Sequence, residues 1–317
     1  MGKVPASTLL IVGGDIPHHP AVVAAKSDGF GSLLVLGSAV AFATSAVLIK
    51  IGYAAGLHLE QFLALRFLLA CPLMFLVCFL ARQNPIQMNG QRLFVLVIMG
   101  AVGYAGQSFT FYTALETLPA SLVALVVYCY PALVTLAGWV VLGKKVSRRH
   151  ILALITTFVG VALVLSIHFQ AGGGLFFALA CPAIFTAYIL IGERVMLDTA
   201  ALSASTLVIS GSAITWTIAW LIRGPLSWPP TALAWSMIIA ILLVPTIGGT
   251  VLFLAGLPRI GGARAALLST LEPVVTVALA TILLRDRLGP AQVIGGALVI
   301  ASVVILEWPI VRRLRRP

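Results

Sequence analysis

Leu267–Leu284 reads LLSTLEPVVTVALATILL. These eighteen residues are almost unbroken in apolar character, long enough to cross a bilayer core as a helix. Two features interrupt them, Glu272 and, directly after it, Pro273. A carboxylate near the centre of a membrane helix is costly, about 2.5 to 3.5 kcal/mol on insertion scales for Asp. A proline there leaves a backbone carbonyl that some other group must satisfy. Two such features side by side point to the interior of a helix bundle, beside a pathway. Tyr130-Pro131 is a second place of the same kind.

The rest of the chain fits that setting. It is 61% hydrophobic and 9% charged, against about 25% charged for a soluble domain, with a mean hydropathy of +1.11. This is the composition of a polytopic membrane protein. The net charge of +11 does not argue for nucleic acid, because the basic residues are scattered through short loops. Cys71, Cys78, Cys129 and Cys181 all fall in apolar runs and have neither a disulfide framework nor metal-ligand spacing, so no metal site or cofactor is expected. Residues 1–30 read as a cytoplasmic tail; the His18-His19 pair lies there and reads as part of that tail rather than as a metal site.

The hydrophobic pattern predicts an all-α membrane protein with ten spans, near 31–54, 60–81, 92–115, 119–142, 150–168, 173–194, 202–222, 231–256, 264–284 and 289–309. The connections are short, which leaves no room for a folded extramembrane domain. Placing the N-terminus on one side puts fifteen of the twenty lysines and arginines on that side. Three (Arg223, Arg285, Arg287) lie opposite, and Lys50 and Arg66 fall within spans. The positive-inside rule then makes the first side the cytoplasm, with both termini inside. Residues 310–317 form a basic cytoplasmic tail.

A shift of 142 residues overlays the first half on the second. Ala124-Leu125 falls on Ala266-Leu267, Phe111 on Phe253, Pro131 on Pro273 and Leu142 on Leu284. Each half, 31–168 and 173–309, holds five spans. An odd number places the two halves in opposite orientation, and inverted repeats are a hallmark of secondary transporters with a site at the midplane. The loop charges agree: Gly143–Arg149 is strongly basic, whereas its counterpart from Arg285 to Pro290 is nearly balanced.

At these residues the chain resembles the EamA type within the drug/metabolite transporter (DMT) superfamily. The likeness rests on Ala64–Ala70 (ALRFLLA), on Phe111–Leu115 (FYTAL) running into Pro119-Ala120-Ser121, on Gly256–Ala263 (GLPRIGGA), on Leu271-Glu272-Pro273-Val274, and on Asp286-Arg287-Leu288 followed by Val293–Ala297. The sequence departs from the family where Lys144-Lys145 stands in place of the common Glu-Arg or Glu-Lys. The resemblance implies ten helices around a central cavity and transport of a small metabolite or drug, commonly outward. An amino acid or related compound is the best-known kind of cargo. It also implies residence in the inner membrane of a bacterial cell, as a monomer or homodimer, with protons as a candidate coupling ion.

Glu272 lies eight residues in from Arg264, about 12 Å along a helix, near the midplane. It reads as a proton-coupled carboxylate or a contact for a substrate ammonium. The structural alternative is a buried acid, protonated or paired with Arg66 or with backbone groups. Arg66 lies six residues beyond Glu60 and must face protein or water. It could hold a substrate carboxylate in a bidentate pair; the alternatives are a structural ion pair or snorkelling to the outer face. The shift maps Glu272 onto Tyr130 and Arg66 onto Val208, so each charge appears once in a fold built twice. Packing common to both halves therefore does not require them. Pro131 and Pro273 read as helix breaks beside the cavity or as tolerated kinks. Tyr128 and Tyr130 cannot share one helix face, so one of them is expected to line the cavity, and Tyr130 is the repeat partner of Glu272. Tyr104, Gln107, Ser108 and Phe111 fall on one face of the third span, suited to an amphipathic metabolite or to ordinary packing.

Three function classes compete: a secondary transporter working by alternating access, a passive channel or membrane sensor, and an intramembrane enzyme. The third lacks a His-Glu-x-x-His motif, paired membrane aspartates, and a histidine at membrane depth to activate Ser210 or Ser212. The second lacks a charged ring or a filter repeat.

Overall fold

The computed structural model describes residues 29–141, 143, 147–165, 173–195, 199–223, 228–260 and 262–314. Residues 1–28 of the tail expected over 1–30, with His18-His19, the basic pair Lys144-Lys145, and residues 315–317 of the basic tail expected over 310–317 lie outside the described residues. Among the described residues the regular structure is helical throughout. Among the described residues nine helices are long and apolar enough to cross a membrane, and a tenth, shorter apolar helix follows them.

We number the spans α1 (Gly29–Ala54), α2 (Leu59–Leu80), α3 (Gly90–Thr117), α4 (Ala120–Val140) and α5 (Arg148–Leu165). The second set is α6 (Gly173–Val195), α7 (Ala201–Arg223), α8 (Ala232–Ile260), α9 (from Gly262 through the span Leu267–Leu284) and α10 (Pro290–Leu314). Several boundaries differ from those the hydropathy suggests, α8 among them, which ends at Ile260 and not near 256. The first helix already includes Gly29 and Phe30, and the last runs on to Leu314, through Arg312 and Arg313.

The pairing of helices follows the 142-residue shift. α5 packs along its counterpart α10, and α2 along its counterpart α7. α3 packs on α6 as α8 packs on α1. Small residues bring these partners together, as expected where no hydrophobic drive separates helix from lipid. A Cβ on Gly160 would collide with the Gly295 carbonyl, and one on Gly295 with the Gly160 carbonyl, so α5 and α10 touch backbone to backbone. Gly100 and Gly211 play the same part between α3 and α7. Thr157 and Ser302 add a side-chain hydrogen bond of 2.6 Å between α5 and α10.

Irregularities recur at matched places. α3 widens into a π-helical stretch at Met99–Tyr104 and α8 at Leu242–Gly249. Such stretches disturb the regular i to i−4 ladder, and neighbouring hydroxyls serve their carbonyls. Ser212 Oγ donates to Gly100 O (2.9 Å), Thr215 Oγ1 to Ala101 O (2.8 Å) and Ser38 Oγ to Gly249 O (2.7 Å). α4 is interrupted at Tyr128-Cys129 and α9 at Thr270, each just before its proline. These two interruptions face one another across the bundle, where Tyr128 reaches Ser269 and Glu272.

Candidate functional site

Arg66 is buried in α2, 8% exposed, at membrane depth. Its guanidinium fans out to three hydroxyls. Nε donates to Thr246 Oγ1 at 2.9 Å, Nη1 to the Tyr112 hydroxyl at 3.0 Å, and Nη2 to the Tyr104 hydroxyl at a long 3.5 Å. The charge also lies over the rings of Phe67 (4.9 Å) and Tyr112 (5.7 Å). Among the described residues none of its hydrogen-bond partners is a carboxylate, so the pairing of Arg66 with Glu272 is not formed here. Tyr104 and Thr246 are related by the 142-residue shift, and each lies on the π-helical stretch of its own half. One arginine therefore sits between equivalent positions of two repeats. Tyr112 is steadied by the Tyr53 hydroxyl, which donates to its carbonyl at 3.0 Å.

Glu272 is half-buried at the interruption of α9. Its Oε2 lies 2.7 Å from the Tyr128 hydroxyl, which also lies 2.9 Å from the Ser269 carbonyl oxygen. The carboxyl group thus meets α4. Tyr130, its repeat counterpart, turns to α6 and packs edge-on against Phe185 at 4.9 Å.

Aromatic rings connect the two charges. Tyr104 is 6.2 Å from Tyr188, Tyr188 stacks on Phe185 at 6.0 Å, Phe185 meets Tyr130 at 4.9 Å, and Tyr130 meets Tyr128 at 6.0 Å. All fall within the range of favourable ring pairs. All but Tyr128 are only partly buried despite their depth in the bundle. Gln107 Nε2 points to Cys181 Sγ of α6 at 3.6 Å. Phe111 packs beside Tyr112, with ring centres 6.5 Å apart. The residues of α3 that reach Arg66 are Tyr104 and Tyr112, set i and i+8. Tyr112 and Tyr128 belong to the two clusters although the sequence pattern favours their neighbours Phe111 and Tyr130. A cavity of about 480 Å³ lies at the end of α3, lined by Tyr53, His58, Glu60, Phe109, Thr113 and Glu116 among others. Tyr53 joins that cavity to the Arg66 cluster.

The profile of the EamA-like transporter family matches twice, over residues 29–166 and 172–308. The chain belongs to the EamA-like transporter family. A relative from Bacillus subtilis (strain 168), the "Uncharacterized transporter YcbK", is 26% identical over 293 residues, covering 88% of this chain and 93% of its own. A solved crystal structure superimposes with a TM-score of 0.63 at 17% identity, over 90% of this chain and 99% of its own. At that identity the likeness is one of fold. This EamA-like protein is an integral membrane protein and a membrane transporter, which implies a small-molecule substrate and a lipid environment.

Proposed function

We propose that this EamA-like protein is a secondary transporter that moves a small metabolite or drug outward, working by alternating access between two inverted five-helix halves. The halves are residues 31–168 and 173–309, ten spans in all, in the inner membrane of a bacterial cell with both termini in the cytoplasm. The odd number of spans per half, the exchanged helix partners and the charge difference between the two equivalent turns support the inversion.

The observation that carries the reading is the Arg66 cluster. Its charge cannot be removed by deprotonation, and the protein answers it with neutral hydroxyls from both halves rather than with a carboxylate. An anionic group of a substrate would complete that site. Rocking one half against the other would move Tyr104 relative to Thr246 and so change the cage. Glu272, the aromatic rings between, and Gln107 and Phe111 of α3 line the remainder of the path. Glu272 is the proton-coupled group, and the flat rings suit an amphipathic body, as in an amino acid or related compound. Pro131 and Pro273 give the two facing helices their points of flexure.

The test is counterflow of labelled amino acids in proteoliposomes, with and without a pH gradient. Uptake stimulated by unlabelled substrate on the far side supports a carrier. Flux indifferent to far-side substrate would make the protein a channel and end the alternating-access reading.

A further inference from the structure

We propose that Tyr128 is the positioning residue that links the proton on Glu272 to the shape of the α9 interruption, by switching one hydroxyl hydrogen between two acceptors. This deepens the transport reading above and rests on it.

The argument begins with the proline. Pro273 has no N–H, so the carbonyl of Ser269, four residues back, lacks its helical donor. The neighbouring Thr270 is used elsewhere: its N–H and its Oγ1 both donate to the Leu267 carbonyl. The group that reaches the Ser269 carbonyl is the Tyr128 hydroxyl, 2.9 Å away and from the other half of the molecule. The same hydroxyl is 2.7 Å from Glu272 Oε2.

A phenol has one hydrogen to give, and a carbonyl oxygen can only accept. Both bonds form together in one arrangement: Glu272 is protonated and donates to the Tyr128 oxygen, and Tyr128 donates to Ser269. When Glu272 releases its proton to water, the carboxylate takes the hydroxyl hydrogen in a charge-assisted bond, roughly twice as strong as a neutral one. The Ser269 carbonyl is then left without a donor at membrane depth, which is unfavourable. Deprotonation therefore uncaps the proline break in α9 and frees it to change conformation; reprotonation restores the cap. Protonation and helix geometry become one equilibrium, which a proton-driven carrier requires.

The device is built once. The repeat shift carries Ser269 onto Val127 and Tyr128 onto Thr270, and Thr270 bonds within its own helix. Bundle packing common to both halves does not call for it. α1, α4, α8 and α10 pack around this part of α9. The charged and titratable groups that the sequence places on those elements, beside Glu272 itself, are Lys50 and Tyr53 of α1, Tyr128, Cys129 and Tyr130 of α4, Arg259 of α8, Arg264 of α9, and Glu307, Arg312 and Arg313 toward the far end of α10. Lys50 interacts electrostatically with Asp286, and the hydrogen bond to the carboxyl is made by Tyr128.

The test is infrared difference spectroscopy on pH steps with the full protein in lipid, using wild type, Glu272→Gln and Tyr128→Phe. A protonated-carboxyl band that vanishes in Glu272→Gln is expected. In Tyr128→Phe the band should remain but move to the frequency of a more weakly bonded acid. In counterflow, the ratio of rates at acidic and alkaline pH should collapse toward one in Tyr128→Phe. If that variant does not fold, Glu272→Asp retracts the acid from the same hydroxyl and should shift the band likewise. A band that Glu272→Gln removes but neither variant moves would overturn the proposal, as would a wild-type pH ratio in Tyr128→Phe. The spectroscopic arm needs no substrate. It therefore fails only if the hydrogen-bond order is wrong, whereas absence of counterflow in wild type strikes at the transport reading instead.

Discussion

Arg66 and Glu272 are both single charges deep in the bundle, yet they are held in opposite ways. The arginine is over-provided: three side-chain hydroxyls from two spans, α3 and α8, two aromatic faces, and symmetry-related positions on either side. The glutamate has one hydroxyl, and it shares that hydroxyl with a backbone carbonyl. A group that cannot lose its charge needs a permanent polar cage when buried. A group that can lose its charge needs a neighbour that tolerates both states. The first arrangement suits recognition of a fixed charge and the second suits exchange of a proton.

The sharpest way to break the comparison is at Arg66. We expect Arg66→Ala to lower counterflow by about a hundredfold, roughly 2.7 kcal/mol at about 1.4 kcal/mol per tenfold. Arg66→Lys should lose about tenfold, because one ammonium cannot reproduce a planar fan to three hydroxyls. Size-exclusion profiles of the solubilised variants separate loss of fold from loss of flux. If Arg66→Ala fails to fold while Arg66→Lys transports at the wild-type rate, the arginine is a structural tie and the contrast with Glu272 disappears. The second place is Glu272 itself. Glu272→Gln keeps a donor for Tyr128 but cannot exchange a proton, so stimulation of flux by a pH gradient should fall by about tenfold, measured as the ratio of rates with and without the gradient. Retention of that stimulation would leave the carboxyl a purely structural acid.

Much of this was readable in the chain and some was not, for identifiable reasons. The apolar spans announce themselves, because backbone in lipid must satisfy its own hydrogen bonds and helices of about twenty residues are the way to do so. The pair Glu272-Pro273 stands out because it is costly there. Which tyrosine meets it is another matter. Tyr128 and Tyr130 look alike in sequence, and the turn at Tyr128-Cys129 decides which ring faces α9 and which faces α6. The face of α3 was hidden for a related cause. A regular helix of 3.6 residues per turn groups Tyr104 with Phe111, but the helix enters this region from a π-helical stretch, and Tyr112 is the residue that reaches Arg66. The part played by Thr246 has a signal only in hindsight of the repeat, as the equivalent of Tyr104. Local wide turns are tertiary events, set by close glycine contacts such as Gly100 on α7, and hydrophobic periodicity does not record them.

That equivalence gives a finer test. Tyr104→Phe and Thr246→Val each remove one hydroxyl from the cage of Arg66. Each should weaken it by about 1 kcal/mol, the usual net worth of a hydrogen bond, or roughly fivefold in half-saturating substrate concentration. If the two halves move against each other about Arg66, the double variant should depart from the sum of the singles, since both act on one charge. Strict additivity would argue that the cage is static and that the symmetry of its two members has no mechanical meaning.

The smallest effect is expected at the rim, where the two halves are also unequal. Asp286, in the turn after α9, accepts hydrogen bonds on Oδ2 from Ser121 N (3.1 Å) and Ser121 Oγ (2.9 Å), in the first turn of α4. A carboxylate at a helix N-terminus satisfies free N–H groups and complements the dipole, together worth about 0.5 to 1 kcal/mol. The repeat shift places Lys144 and Ala263 at the corresponding positions of the other end, a pair with no carboxylate to offer. The tie is thus available at one mouth of the bundle and not, by these residues, at the other. Asp286→Asn keeps an acceptor but discards the charge, so it should lower the melting temperature by about 1 to 2 °C. It should also raise labelling by an impermeant thiol reagent of a cysteine placed at Ser121, compared with the same cysteine in the Asp286 background. Because the cysteine itself removes the Ser121 hydroxyl, the remaining backbone N–H to Asp286 is what that comparison reads. A change in labelling without a change in melting temperature would mean that the tie biases which mouth is closed rather than how firmly the fold holds, and the inequality of the two ends would then belong to the transport cycle.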